Sequence, residues 1–280
     1  MSTKLRELAR ETLEILDAGG YRTPRGRRVT LADGMRAAVA GTRLHQPAEA
    51  LVTPPAGRGP AGAGPAGAGP AGAGPAVSVT GESTLAATRR LAEDGDVAAL
   101  NFASAKHPGG GFRTGAQAQE ESLARASALY RCLTAAPGYY TFHRSNGDSL
   151  YSDRVIYSPR VPVFRGDDGV LLEDPYEVSF LTAAAPNRGA VPRGRAGQVA
   201  TVLAARARRV LAVAAAHGHR RLVLGAWGCG VFRNDPATVA DAFADALAGG
   251  EGWFDQVVFA VLDEAPGAPV RTAFTARFPG

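Results

Sequence analysis

Cysteine is nearly absent from this 280-residue chain: Cys132 and Cys229 are the two it has. They offer neither a disulfide framework nor a metal-binding pattern, which excludes the small disulfide-stapled classes and fits a reducing cytoplasm. Both thiols are therefore expected to be free. No apolar run approaches the about 18 residues needed to cross a bilayer. The N-terminus alternates charge with leucine instead of building a secretory signal, so no membrane contact is expected. Histidine is scarce, five in all, and none, His107 and His143 included, has a partner at metal-ligand spacing. Neither a metal nor a cofactor is expected. Missing too are the Gly-x-Gly-x-x-Gly of dinucleotide folds and the Gly-x-x-x-x-Gly-Lys-Ser/Thr of nucleoside triphosphatases. The 35 glycines and 19 prolines fall short of the roughly 25–30% that marks a disordered chain, and 45% apolar residues can fill a core. One domain plus an extension is the reading at this length.

What the chain does have is one glycine-rich stretch: Asn101-Phe102-Ala103-Ser104-Ala105-Lys106-His107-Pro108-Gly109-Gly110-Gly111-Phe112-Arg113-Thr114-Gly115-Ala116-Gln117-Ala118-Gln119-Glu120-Glu121. A strand-like run (97–102) enters a loop of three consecutive glycines, which have no Cβ and can bring backbone N–H groups against a ligand. The helix that follows adds unpaired N–H groups and a positive dipole end, a combination suited to phosphate. Glu120 and Glu121 in its first turn give a phosphate nothing. Acidic residues there are favoured by the dipole alone. Yet neighbours on a helix point about 100° apart, so one can face a ligand while the other braces it.

Pro-Gly-Gly-Gly, seven residues, then Gln119-Glu120-Glu121 resembles the signature of the bacterial-type poly(ADP-ribose) glycohydrolases, a family built on a macrodomain. A second block, Gly225-Ala226-Trp227-Gly228-Cys229-Gly230-Val231-Phe232-Arg233-Asn234-Asp235-Pro236, resembles that family's second phosphate-binding loop. The likeness spans roughly residues 77–262 and, more loosely, the N-terminal portion. It implies a macrodomain-like three-layer α/β/α sandwich with a mixed central sheet and an N-terminal helical extension. It implies cleavage of the ribose–ribose O-glycosidic bond of poly(ADP-ribose), from the polymer end, with ADP-ribose and ADP-ribosylated proteins as partners and no DNA contact required. On the matching positions, Glu121 is the acid that protonates the departing oxygen and then activates water, and Glu120 grips the ribose hydroxyls. Asn101 hydrogen-bonds the distal ribose, Ala103 is substrate-binding, and Gln119 supports the glutamates. Gly110 and Gly111 offer backbone to one phosphate; Gly228, Cys229, Gly230, Val231 and Phe232 serve the other, with Phe232 packed on the substrate. Lys106 stands where a smaller or uncharged residue fits the family pattern. A macrodomain that only reads ADP-ribose, or a hydrolase of another ADP-ribosyl linkage, are the alternatives.

Around these blocks the chain divides at 1–58, 59–76 and 77–280. Residues 3–18 read as an amphipathic helix with Leu5, Leu8, Leu13 and Leu16 on one stripe, capped by Thr3 and stopped at Gly19-Gly20. Residues 21–28 are basic without an acid, and residues 1–58 hold ten Lys/Arg against six Asp/Glu, nearly all of the formal +5. A polyanion could be attracted there, but a solvated basic loop is the more common explanation. Residues 59–76 repeat Gly-Pro-Ala-Gly-Ala, a period of five that excludes collagen, where glycine recurs every third residue. With no apolar bulk to bury, this insert reads as flexible. A chain lacking residues 59–76 is expected to keep its catalytic activity; a folded but inactive deletion would contradict this.

From residue 77 strands and helices alternate: strands at 77–79, 97–102, 155–164, 170–172, 178–185, 222–226 and 257–262. Helices fall at 84–92, 117–133 (ended by Pro137), 195–216 and 236–247, the last behind Asp235. Arg206, Arg208 and Arg209 read as a solvated face of the long helix. Residues 165–169 form a hairpin turn. Both glycine blocks follow strands, which places them at strand ends, where α/β sheets bind ligands.

Overall fold

The computed structural model of the chain describes residues 2–54 and 74–279. In chain order its elements are α1 (Ser2–Ala18), β1 (Gly20–Arg22), β2 (Arg28–Thr30), α2 (Ala32–Gly41), β3 (Arg43–His45), β4 (Ala76–Thr80), α3 (Thr84–Ala92), β5 (Ala98–Phe102), α4 (Gln119–Ala126), α5 (Leu129–Thr134), α6 (Pro137–Ser145), β6 (Val155–Arg165), β7 (Leu171–Ala183), α7 (Gln198–Ala216), β8 (Arg221–Leu224), α8 (Pro236–Ala248), β9 (Gln256–Ala260) and α9 (Pro269–Arg277). Seven strands form one mixed sheet in the order β3-β6-β7-β5-β8-β9-β4, with β1 and β2 paired apart. The run from β7 to β4 is parallel, while β6 and β3 each lie antiparallel to their neighbours.

Successive residues of a strand face opposite sides, and β5 shows how this builds three layers. Ala98 and Leu100 turn toward α7, α8 and α9, while Ala99 turns toward α3, α4 and α5. Leu100, Phe180 and Phe259 are 0% exposed, and burying such side chains contributes about 1.5–3 kcal/mol each. The expected α/β/α sandwich with a mixed sheet is the architecture found. Among the described residues no helix is long and apolar enough to cross a membrane.

Local rules placed many boundaries. Ser83 caps α3 by accepting from Ala86 N–H (3.0 Å), and Asp235 caps α8 by accepting from Thr238 N–H (2.9 Å) ahead of Pro236. Gly19, at φ +71, ends α1. Thr3, expected as a cap, lies inside α1 and accepts from Arg6.

Tertiary contacts overrode other expectations. The helix expected at 117–133 is two helices, because Ser127 is extended (φ −146, ψ 174) and bridges to Val163 of β6. Its hydroxyl donates to Leu123 O (2.7 Å) and accepts from Leu129 N–H (3.2 Å), which joins the two helices across the break. Pro137 opens α6 instead of ending a helix, and α2, α6 and α9 were not foreseen. The strands expected at 170–172 and 178–185 are one, β7, which passes through Pro175.

Arg206 corrects the reading of a solvated arginine face. It is 1% exposed, ion-paired to Asp153 (2.9 Å), and donates to Ala184 O (2.8 Å) and Leu150 O (2.9 Å). Arg208 is exposed as expected, whereas Arg209 is half-buried against the carbonyls of Gln46 and Glu49. A guanidinium offers five donors, so a buried one can be satisfied by several carbonyls at once; spacing along a helix does not reveal them.

The segment before the repeat supplies part of the main sheet. Its β3 pairs with β6, Arg43 opposite Tyr157 and His45 opposite Val155, so the boundary drawn between extension and core is crossed by strand pairing. The expectation of a flexible insert falls on residues 59–76, of which 59–73 lie outside the described residues and Ala76 opens β4.

Candidate active site

Parallel pairing sets the site. β5 and β8 are neighbours, Ala98 beside Leu222 and Ala99 beside Val223, so both glycine turns leave the same edge of the sheet from adjacent strands. In the first turn Gly109 and Gly110 take φ +68 and +59, values that a side chain resists. Gly110 N–H donates to His107 O (3.0 Å) and Phe112 N–H to Gly109 O (3.3 Å). Phe112, fully buried, anchors the turn against Ala9 of α1, Ala124 of α4 and the Tyr130 ring, 4.9 Å away.

Gln119 fixes where α4 begins. Its Oε1 accepts from Phe102 N–H (2.8 Å), and its Nε2 donates to Leu100 O (2.7 Å) and Thr84 Oγ1 (3.1 Å). Gln119 therefore ties α4 to β5 and α3. The direct support of the glutamates expected of it comes from other groups.

Glu120 is 3% exposed and accepts from Ser104 N–H (2.6 Å) and Asn101 Nδ2 (3.3 Å). Asn101, 0% exposed, also donates to Thr182 Oγ1 (3.2 Å), across from it in β7. Its amide lies on Glu120. Its Oδ1 is buried without a partner among the described residues. Ala103 is 1% exposed and donates its N–H to Ala183 O (3.2 Å), a sheet bond. Glu121, half-buried, accepts from Gly111 N–H (2.9 Å). Of the N–H groups expected to meet a phosphate, that of Gly110 is engaged within the loop and that of Gly111 on Glu121 of α4.

Burial pushes the Glu120 carboxyl from the ordinary 4.5 up to about 8; the nearby Glu121 adds to this, and hydrogen bonds from Ser104, Asn101 and Gly109 oppose it. Burial also holds the Tyr140 hydroxyl well above its usual range, with the Glu120 charge contributing. Because the folded carboxyl binds its proton more tightly than the unfolded one, it contributes a stability that is full below about 4.5 and lost as pH rises through about 8. Thermal melts of wild type and Glu120→Gln are expected to show this fall in the wild type alone. Parallel pH profiles for the two proteins would contradict it.

Behind the pair, Arg125 is 5% exposed, one helical turn beyond Glu121, and donates to Ala116 O (2.7 Å). Its own carbonyl accepts from Thr12 of α1 (2.6 Å) and from Arg165 (3.3 Å). The N-terminal helix therefore backs the helix that carries the glutamates.

The second turn is docked by Trp227, 1% exposed, whose Nε1 donates to Ala183 O (2.9 Å). Gly228 takes φ +73 against the side chains of Asn234 and Ala185, and Asn234 N–H closes the turn onto Gly228 O (3.0 Å). Cys229 N–H is used on Ala226 O (3.1 Å). Those of Gly228, Gly230, Val231 and Phe232 make no hydrogen bond among the described residues. Val231 is 84% exposed, and Phe232 lies 5.8 Å from the Tyr151 ring.

Ser104, Thr182, Tyr151 and Asn234 were missed from sequence. Asn234 had the only visible signal, its place between a glycine turn and a helix cap. His143 is a core histidine: its Nδ1–H donates to Tyr139 O (2.9 Å), Ser152 donates to Nε2 (2.9 Å), and burial lowers its pKa to about 4. Among the described residues no three His, Cys, Asp or Glu side chains could hold a metal. Cys132 and Cys229 are free, and burial raises their thiols to about 11 and about 12.

A mixed sheet between two helical layers, with two glycine turns leaving adjacent strands and a glutamate pair beside the first, defines a macrodomain-type α/β protein. The chain belongs to the microbial-type PARG family: the model of its catalytic domain matches residues 9–166. The crystal structure of poly(ADP-ribose) glycohydrolase from Thermomonospora curvata is 51% identical over 99% of this chain and 100% of that one, with a TM-score of 0.88. The same enzyme bound to the inhibitor ADP-HPD gives a TM-score of 0.87 at 51% identity, covering 99% of this chain and 100% of that one. Poly(ADP-ribose) glycohydrolase from Deinococcus radiodurans in complex with ADP-ribose is 47% identical over 87% of this chain and 96% of that one, with a TM-score of 0.76. No curated protein sequence matches the chain.

Proposed function

We propose that this protein hydrolyses the ribose–ribose O-glycosidic bond of poly(ADP-ribose) and releases ADP-ribose from the polymer end. The observation that carries the reading is the pair Glu120 and Glu121, each held by backbone N–H groups of the first glycine loop. A protein that only read ADP-ribose would need the turns but not the pair. Similar structures solved with ADP-ribose and with ADP-HPD support the ligand class.

Glycosidic bonds break through oxocarbenium-like transition states, in which an acid protonates the departing oxygen and water meets the cation. Glu121 is assigned the proton and then, as carboxylate, the activation of water. Glu120, braced by Asn101 and Ser104, is assigned the ribose hydroxyls. The free N–H groups of the second turn suit one phosphate. Gly110 and Gly111, lacking Cβ, let the other approach their backbone. Phe232 is assigned a face of the substrate. ADP-ribosylated proteins carrying polymer are the proposed partners, and the free thiols suit a cytoplasmic setting. Incubating the protein with long polymer and following product size tests the reading. ADP-ribose accumulating from the start, with no short oligomers, is the expected result; oligomers first would overturn end-on action, and no product would overturn the activity.

A further inference from the structure

The loop whose N–H groups hold the glutamate pair carries cations for which the proposed chemistry has no use. Lys106 and Arg113 are exposed on it, and Arg144, exposed on α6, reaches across to donate to the Lys106 carbonyl (2.9 Å). Residues 103–118 and 137–147 contain no Asp or Glu. The carboxylates that border them are taken: Asp148 by Arg195, Asp153 by Arg206, and Glu120 and Glu121 by loop N–H groups. Among the described residues none of these three cations pairs with a carboxylate. Solvated charges are ordinary on a protein surface; three without a counter-charge around a reactive loop are a local concentration of positive potential.

Hydrogen bonds tie two of these cations, Lys106 and Arg144, to the loop that holds the acid pair. Lys106 N–H donates to Ser104 Oγ (3.3 Å), and Ser104 N–H holds Glu120 (2.6 Å), so Lys106 sits on the loop that cradles the pair, with Arg113 further along that loop and Arg144 bonded to it from α6. The oxygen that Glu121 protonates belongs to the next unit of the polymer. Everything bonded to it departs on the side of the acid: first an adenosine ribose, then that unit's pyrophosphate.

We propose that Lys106, Arg113 and Arg144 receive the pyrophosphate of the departing polymer segment, so that the enzyme favours leaving groups that carry phosphate. This rests on the glycohydrolase reading above. Charge complementarity to a polyanion is its basis, and these cations act on the leaving group, outside the ADP-ribose unit that the two glycine turns hold.

The test compares kcat/KM on poly(ADP-ribose) of defined length with kcat/KM on ADP-ribose joined through the same bond to plain adenosine, whose leaving group has no phosphate. For Lys106→Gln/Arg113→Gln, the ratio of polymer to short-substrate kcat/KM is expected to fall ~10-fold. The salt dependence on polymer should flatten by about 0.7 in log–log slope for each phosphate that the variant no longer neutralises. Arg144→Lys, which keeps the charge, is expected to hold the ratio nearer wild type than Arg144→Gln. Arg208→Gln removes an exposed charge from α7 and is expected to leave the ratio alone. A constant ratio in the double variant, whether both activities drop together or neither does, overturns the proposal. Wild type inactive on both substrates would instead overturn the glycohydrolase reading, and this inference with it.

Discussion

Glu121→Gln is expected to lose ~10²–10⁴-fold in kcat on poly(ADP-ribose), the span that positioned general acids supply, while binding ADP-ribose with near wild-type affinity. The loss corresponds to about 3–5 kcal/mol of barrier. The amide matches the carboxylate in shape and its oxygen still accepts from Gly111 N–H, the bond that holds Glu121 now (2.9 Å). What it lacks is an acidic proton for the leaving oxygen and a base for water. Product release timed against polymer, alongside calorimetric titration with ADP-ribose, separates the two effects. A Glu121→Gln enzyme retaining more than a tenth of wild-type kcat would remove Glu121 from the chemistry. Glu120→Gln provides the contrast. Burial pushes its carboxyl up to about 8, toward the neutral form that the amide resembles. Turning the Asn101 amide over would present its unpartnered Oδ1 to the new NH₂. A smaller loss is expected there.

Gly110→Ala is expected to reduce kcat by ~10² or more, because small displacements of catalytic groups are that costly, with only a modest fall in melting temperature. A Cβ on Gly110 would stand 2.9 Å from the Glu121 carboxyl carbon and 3.1 Å from Glu120 Oε2, so both glutamates must move. The φ of +59 adds about 1–2 kcal/mol of backbone strain for any residue with a Cβ. Gly218→Ala isolates the strain: Gly218 has φ +79 and nothing within 4 Å of its would-be Cβ. The two variants should melt within a few degrees of each other while only Gly110→Ala loses turnover. Full activity in Gly110→Ala would show that the loop does not position the acids.

The reactive loop was readable because it is local. Glycine without a Cβ, a helix start, and two acids within it are properties of neighbours in the chain, and they carried over to the turn at Gly109 and Gly110 and to Glu120 and Glu121. Asp235 announced its helix for the same reason. The readings that failed concern partners distant in sequence. Arg206 looked solvated on its helix until Asp153, Leu150 and Ala184 were brought to it. Residues 117–133 have an unbroken helical pattern, yet Ser127 bonds to a strand more than thirty positions later.

Residue order along the chain was enough to specify the layered α/β class, the two glycine turns and the acid pair, since each depends on propensities and spacings within a few residues. It could not specify that Glu120 is the buried member, that Asn101 and Thr182 stand behind it, or that α1 reaches the back of α4 through Thr12 and Arg125. Those facts depend on which strands become neighbours. Once β5 lies between β7 and β8, desolvation and hydrogen bonding at Glu120 follow from the packing of elements far apart in the chain.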